Sequence, residues 1–517
     1  MDVDSRNSAA ATRKEWVERR KREGAFEGMV RAGLALILVG WASFSLAADR
    51  VEYTIQFDPL GNQVLVEMDL PEGETAEKFW MSAWVPGDYE RFDYGKTVTA
   101  ISFFKDGEEV KLAGRDGVNG FVAEDKFDAV KYTVKPSRGN FSYNLFLGRD
   151  YAWLSPAGVL GFAEGGLAKP VSLTVKKIDG WKIHGAIEGR STDSGYTLDA
   201  KNHEEIGDSP VVMGRNLATV KFEVGGKPHF FVGFGNLAGV DVAAFGAMCQ
   251  KAVEQGLKEF GDLPYPRYTF FGEFGNYPAG LEHGTSCRLG FWGTDARQMS
   301  GLIFHEYVHA FNVKAIRPKE LRPIDPLNPP VVDSLWWLEG VTDYFSEVWR
   351  LRAGVIKNEE FLAEMRSAYE STLRNPAYAK VSAAESSRRV FEVRGSQGFG
   401  GVSYYTKGKV IGFILDLMIR DASEGKRTLS DTFRALYKET RDEVSYGRTM
   451  ILDLVRADVP GEERAEELVK LIETAEPVPW NANLVKAGIV DRAGRLVKGS
   501  DLTVNQMVVW ESLFGKD

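Results

Sequence analysis

Cysteine and histidine are both scarce in this 517-residue chain, which holds two of the first, Cys249 and Cys287, and six of the second. Two cysteines cannot make a disulfide scaffold; they allow one bridge at most, with a pair of free buried thiols as the equal alternative. No long basic run follows residue 48 and the formal net charge is -9, so nucleic acid is set aside as a partner. Internal repeats and low-complexity linkers are also missing. What remains is a globular composition, 44% hydrophobic and 26% charged with 54 Gly and 12 Trp. Its length calls for about two or three domains.

One segment stands apart. Residues 32–48, AGLALILVGWASFSLAA, are uncharged, follow Arg31 and end in small side chains. This is the order of a secretory signal, with Ser45-Leu46-Ala47 as the cleavage site, and Met29 reads as the natural start. Uncleaved, the same run is a membrane anchor, although slightly short for a span. Both versions put the bulk of the protein outside the cytoplasm, periplasmic or secreted. Contact with a membrane is expected only through a retained leader.

Periodicity divides the rest. In VEYTIQFD and QVLVEMDL the apolar residues Val51, Tyr53, Ile55, Phe57 and Val64, Val66, Met68, Leu70 alternate with polar ones, the pattern of half-buried strands. Asp106-Gly107 and Asp179-Gly180 lie between apolar runs and predict hairpin turns. Residues 49–235 are therefore expected to form an antiparallel β-domain. From Asp241 the spacing turns helical, and helices dominate after Ser300. A central domain over 236–400 and a helical domain over 401–517 follow, the whole being multidomain α+β. The Pro-rich stretch Arg317–Pro330 must be a loop.

Within SGLIFHEYVHAFNVKAIRP, His305 and His309 stand four residues apart on an expected helix ended by Pro318. That spacing puts both imidazoles on one face, where they can share a Zn²⁺, and Glu306 lies beside the first as a candidate general base. With only six histidines in the chain, the motif is rare by chance. A catalytic zinc needs a third protein ligand. A third histidine in the metzincin position is absent, because Ala315 stands there. The candidates are Glu320, Glu339 and Glu347. Glu339, in WWLEG just after the Pro-rich loop, is placed to fold back antiparallel on the first helix. Glu320 and Glu347 read as solvated carboxylates. Asp343, one helical turn beyond Glu339, is a candidate to hold the second N–H of a zinc-bound histidine; a plain surface acid is the alternative.

HEYVHAFNVKAIRPKEL followed by LWWLEGVTDYF resembles the glycyl-aminopeptidase family of gluzincin metallopeptidases. WVPGDYERFDY, AGLEHGTS and VSYYTKGKVIGFILDLMIRDASEGKRTLSD resemble further segments of that family, in the same order. The resemblance implies an N-terminal β-domain, a thermolysin-like catalytic domain and a helical C-terminal domain. It also implies release of N-terminal residues, glycine or alanine favoured, from peptides with a free amino end. Carried over residue by residue, it makes His305, His309 and Glu339 the ligands of one zinc and Glu306 the base. Glu282, 23 residues before His305, becomes the anchor of the substrate amine; beside it, the backbone near Gly280 and Leu281 is a candidate to pair with the extended peptide as an added strand. Tyr405, with Tyr404 as runner-up, becomes the oxyanion donor. The chain departs from the family at Ala279, where a glycine is usual, and at Ala315, where a basic residue is usual. Too few residues follow the last helices for the PDZ domain many relatives carry. Two rivals stay open: an endopeptidase on the same core, and a non-catalytic peptide-binding protein of the cell envelope.

Overall fold

The computed structural model describes residues 49–515 apart from 138–142, 194, 276–277, 393–402, 442–443 and 460. Met29 and the 32–48 run lie outside the described residues, among which no helix is long and apolar enough to cross a membrane.

Alternation builds the first layer. Val51, Tyr53, Ile55 and Phe57 are buried along the strand Val51–Asp58, as are Val64, Val66 and Met68 along Gln63–Asp69. The two pair antiparallel with Ile55 opposite Val66 and Tyr53 opposite Met68, so their apolar faces coincide. They lie inside an eight-stranded sheet, and two four-stranded sheets complete the β-rich domain. The expected antiparallel pairing has an exception: Val51–Asp58 runs parallel to Val171–Val175.

Asp106-Gly107, with φ of 52° and 83°, joins two paired strands as a hairpin turn. Asp179-Gly180 also turns the chain, the Trp181 N–H donating to the Ile178 carbonyl at 3.0 Å, but it makes no hairpin. The strand before it, Val171–Val175, already has both edges occupied by Val51–Asp58 and Tyr196–Ala200. The chain therefore crosses into another sheet at Lys182–Gly185.

The expected border at 235 falls inside a sheet. Ala218–Val224 and Lys227–Gly235 pair with each other, and the latter runs parallel to Tyr268–Phe274. Ser286–Phe291 and then Ala279–Glu282 follow, which leaves Ala279–Glu282 at the edge. The central domain thus begins near residue 218 rather than 236. The helix Val242–Phe260 is capped by the Asp241 side chain and ended by Gly261 at φ 80°. Gly256 lets this helix approach Tyr307 and Phe311, since a Cβ there would stand 2.9 Å and 3.0 Å from their rings.

Ser300–Val308 carries the HEYVH motif but ends about ten residues before Pro318. The N–H groups of Lys314, Ala315 and Ile316 bond back five residues to the carbonyls of His309, Ala310 and Phe311 at 3.1–3.2 Å. This compact turn satisfies carbonyls that a longer helix would have used. The next helix, Thr342–Arg352, lies antiparallel to Ser300–Val308. Arg350 bonds Ser300, Asp343 bonds His305, and the Asn312 amide donates to the Trp337 carbonyl and to Thr342. The border at 400 also cuts through one packed body, because the helix Tyr404–Ala422 lies on Trp336–Val341. The C-terminal region is helical apart from the hairpin Ile489–Arg492 and Arg495–Lys498.

Candidate metal centre

Three donor atoms converge between the two antiparallel helices. His305 Nε2 and His309 Nε2 are 3.0 Å apart, and Glu339 Oε2 lies 3.6 Å from the first and 3.2 Å from the second. Ligands bonded tetrahedrally at roughly 2.0–2.1 Å stand about 3.3 Å from one another, so the set fits Zn²⁺ without rearrangement. The other ring nitrogens are held. His305 Nδ1 donates to Asp343 Oδ1 at 2.8 Å, and His309 Nδ1 donates to the Asn312 carbonyl at 3.0 Å. With Nδ1 protonated in each ring, Nε2 keeps the lone pair a metal needs. Burial would raise the Glu339 carboxyl, yet His309 and His305 hold it well below the usual carboxylate range.

Glu339 is expected early in an amphipathic α-helix, and the structure differs there. Trp336–Val341 is wound as a π-helix before the α-helix begins at Thr342, a local widening found often at functional sites. Glu347, expected to be solvated, is buried between Lys409, 3.0 Å from Oε1, and Arg350, 2.6 Å from Oε2. Lys409 arrives from the later helix Tyr404–Ala422, and the 62 positions between the two residues hid the pairing. Glu320 is half-buried in the short turn Lys319–Leu321.

A second group shares His309. Donor atoms of Glu282, Glu306 and His309 lie within 4.8 Å of one another. Glu282 ends the edge strand, and both carboxylates are buried. Glu306 Oε2 has no partner among the described residues. Burial, with Glu282 and Glu339 adding to it, pushes the Glu306 carboxyl up to about 7 against the pull of both histidines. Gly280 backs directly onto Glu306, and a Cβ there would run into its carboxylate. Of the two family glycine positions, the one this chain keeps is the one with no room for a side chain. Leu281 is buried beside it. The Tyr405 ring lies beside His305 with centroids 6.1 Å apart, and the Tyr404 ring packs tilted against it at 4.9 Å with its hydroxyl buried and unpartnered among the described residues. Ser403 caps that helix, accepting from the N–H of Tyr405.

The β-rich domain supplies groups that sequence reasoning left without a role. Tyr89, in the WVPGDY segment, donates its hydroxyl to Glu339 Oε1 at 3.0 Å, which fixes the third ligand's second oxygen. Gly87, at φ 95°, presses on Glu282, where a Cβ would stand 2.7 Å from Oε1. Trp84 Nε1 donates to the Asp325 carbonyl at 2.7 Å and so ties this segment to the Pro-rich loop. The advance signal was the resemblance of WVPGDYERFDY to a segment of the family, which marked the stretch but gave none of its residues a role. Cys249 and Cys287 are both free and buried.

Fold and donors together define a metallopeptidase with a His, His, Glu metal centre. The model of the M61 glycyl aminopeptidase matches residues 298–411, and that of the peptidase M61 N-terminal domain matches residues 52–215. The two cover more than half of the chain, which belongs to the M61 glycyl aminopeptidase family. Among solved structures, an aminopeptidase N family protein from Idiomarina loihiensis superposes with a TM-score of 0.77 at 22% identity, over 85% of this chain and 78% of its own. An M1 zinc metallopeptidase from Deinococcus radiodurans gives 0.53 at 12% identity, over 84% and 95%. Yeast LTA4 hydrolase gives 0.54 at 11%, over 85% and 70%. These likenesses concern the fold. No curated protein matches the chain in sequence.

Proposed function

We propose that this metallopeptidase is a zinc-dependent aminopeptidase that removes N-terminal residues, glycine or alanine favoured, from peptides with a free amino end. The carrying observation is a buried carboxylate, Glu282, beside His309 and Glu306 at the end of an edge strand. A carboxylate so placed pairs with a free α-ammonium and counts residues from the amino end.

His305, His309 and Glu339 would hold the zinc, which when bound would supply a Lewis acid for the scissile carbonyl and the attacking water. Glu306 takes the proton of the attacking water and returns it to the leaving amine. Tyr405 donates a hydrogen bond to the oxyanion. The free edge at Gly280 and Leu281 pairs with the extended peptide as an added strand. The preference for glycine or alanine is what the family resemblance implies; a hollow of about 10 Å³, lined by Pro86, Gly87, Tyr89 and Glu282 among others, lies against the Glu282 side chain.

Free and N-acetylated aminoacyl substrates, assayed with and without a zinc chelator, test the proposal. Chelation is expected to abolish turnover and added zinc to restore it. Equal rates on free and acetylated substrates would make the protein an endopeptidase instead. Glu306→Gln at full zinc content is expected to lose most turnover, and near-normal kcat would remove Glu306 as the base. Residues 32–48 support export, which N-terminal sequencing of the mature protein tests: a start after Ala47 is expected, and an intact leader would favour the anchor.

A further inference from the structure

Glu282 does not hold itself in place. No described residue donates a hydrogen bond to its carboxylate, and its strand, Ala279–Glu282, is paired on one side only, with Ser286–Phe291. The carboxylate therefore inherits its position from the backbone at the strand's end. That end is a short turn closed by the His283 N–H donating to the Ser286 carbonyl at 2.8 Å.

One side chain outside the central domain grips this turn. Asp208, which caps the short helix His203–Gly207 of the β-rich domain, accepts from His283 Nδ1 at 2.9 Å and from the Gly284 N–H at 2.7 Å. The same Asp208 Oδ1 takes Lys314 Nζ at 3.2 Å. Lys314 stands on the turn that follows the metal helix and is 5% exposed. A single carboxylate thus ties the residue after Glu282 to the loop after His309, and so relates the amine position to the metal donors.

We propose that Asp208 is a positioning residue for Glu282, a role that rests on Glu282 being the amine anchor. It acts in two ways. Its two oxygens fix the turn that carries Glu282. Its charge also occupies the Lys314 ammonium, which lines the same small hollow as Glu282. Without Asp208 that ammonium is free to swing toward Glu282 and take the place of the substrate's own amine, since a lysine head on a four-carbon stem reorients easily. Burial opposes ionisation of Asp208, but Lys314 and His283 hold its carboxyl below the usual range, so the charge is present at neutral pH.

The test measures amine preference without turnover. Binding of glycine hydroxamate and acetohydroxamate to the zinc-loaded protein is compared by calorimetry; the two differ in the α-amine. Asp208→Asn keeps the side chain's size but not its charge. It is expected to weaken glycine hydroxamate about tenfold while leaving acetohydroxamate and zinc content unchanged. Equal loss for both ligands would make Asp208 a domain staple and overturn the proposal. Glu282→Gln, run in parallel, separates the two claims. If it leaves the amine preference intact, the anchor assignment fails; if it abolishes the preference while Asp208→Asn does not, the positioning role fails. Should Asp208→Asn not fold, His283 supplies the second test. Asn places a donor where Nδ1 stands and is expected to preserve the preference, whereas His283→Phe is expected to lose it. Full preference in both would overturn the proposal.

Discussion

Each ring nitrogen of His305 has a separate partner, the Nε2 side converging on His309 and Glu339 while Nδ1 is held by Asp343 at 2.8 Å. Replacing Asp343 by Asn leaves the shape but weakens the acceptor. Zinc affinity is expected to fall about 10- to 100-fold, read by competition with a chelator of known affinity; unchanged affinity would reduce Asp343 to a surface acid. For the tyrosines, Tyr405→Phe is expected to lower kcat about 100-fold with KM nearly constant. A comparable fall in Tyr404→Phe alone would exchange the two assignments, although the buried Tyr404 hydroxyl argues for packing. The HEYVH ligands were legible because their four-residue spacing is a local fact. Tyr89 was not, because its partner Glu339 is 250 positions away and nothing in a tyrosine's neighbours announces such a bond.

Helices position these residues through a contact between two glycines. Gly340, in the turn with Glu339, and Gly408, one turn past Tyr405, meet backbone to backbone; a Cβ on either would strike the other. This close crossing brings the Tyr405 helix over the metal donors. Gly408→Ala is expected to cost about 1–3 kcal/mol through overpacking. It should lower kcat as Tyr405 is displaced, with zinc still bound. Thermal melts, metal analysis and kinetics check it, and wild-type values in all three would show that the crossing has slack. At this scale sequence patterns identified the elements but not their company. Alternation in VEYTIQFD gave the buried face that the sheet uses. The Asp179-Gly180 turn has the same chemistry as a hairpin, but the strand before it had no free edge. Past the metal helix, Lys314, Ala315 and Ile316 fold back onto the carbonyls of His309, Ala310 and Phe311 instead of extending it. Edge occupancy and fold-back are tertiary facts that local propensity does not carry.

For the molecule as a whole, acid is the expected weakness. Burial holds His203 and His229 down to about 4, and burial with nearby Arg267 does the same to His184. An unfolded histidine titrates near 6.5. Between those values the unfolded chain binds protons at these three positions that the native protein refuses, so their contribution to stability is lost as pH drops from about 6.5 toward 4, while Glu306, held up at about 7, works the other way. Melting temperature measured from pH 7.5 to 5 at constant salt is expected to decline by several degrees. His203→Gln should flatten the slope, and an unchanged slope in that variant would show that His203 adds nothing to it. The domains themselves were legible as composition, strands first and helices later, whereas their borders were not. Ala218–Val224 and Lys227–Gly235 look like further strands of the first domain until their pairing is known. The Tyr89 hydroxyl on Glu339 has a consequence for ancestry and engineering alike. A gene fragment beginning after residue 215 would encode every metal ligand and still lack the group that steadies one of them. A chimaera that exchanges the β-rich domain would therefore need a matching tyrosine, so the two domains work as one functional unit rather than as interchangeable parts.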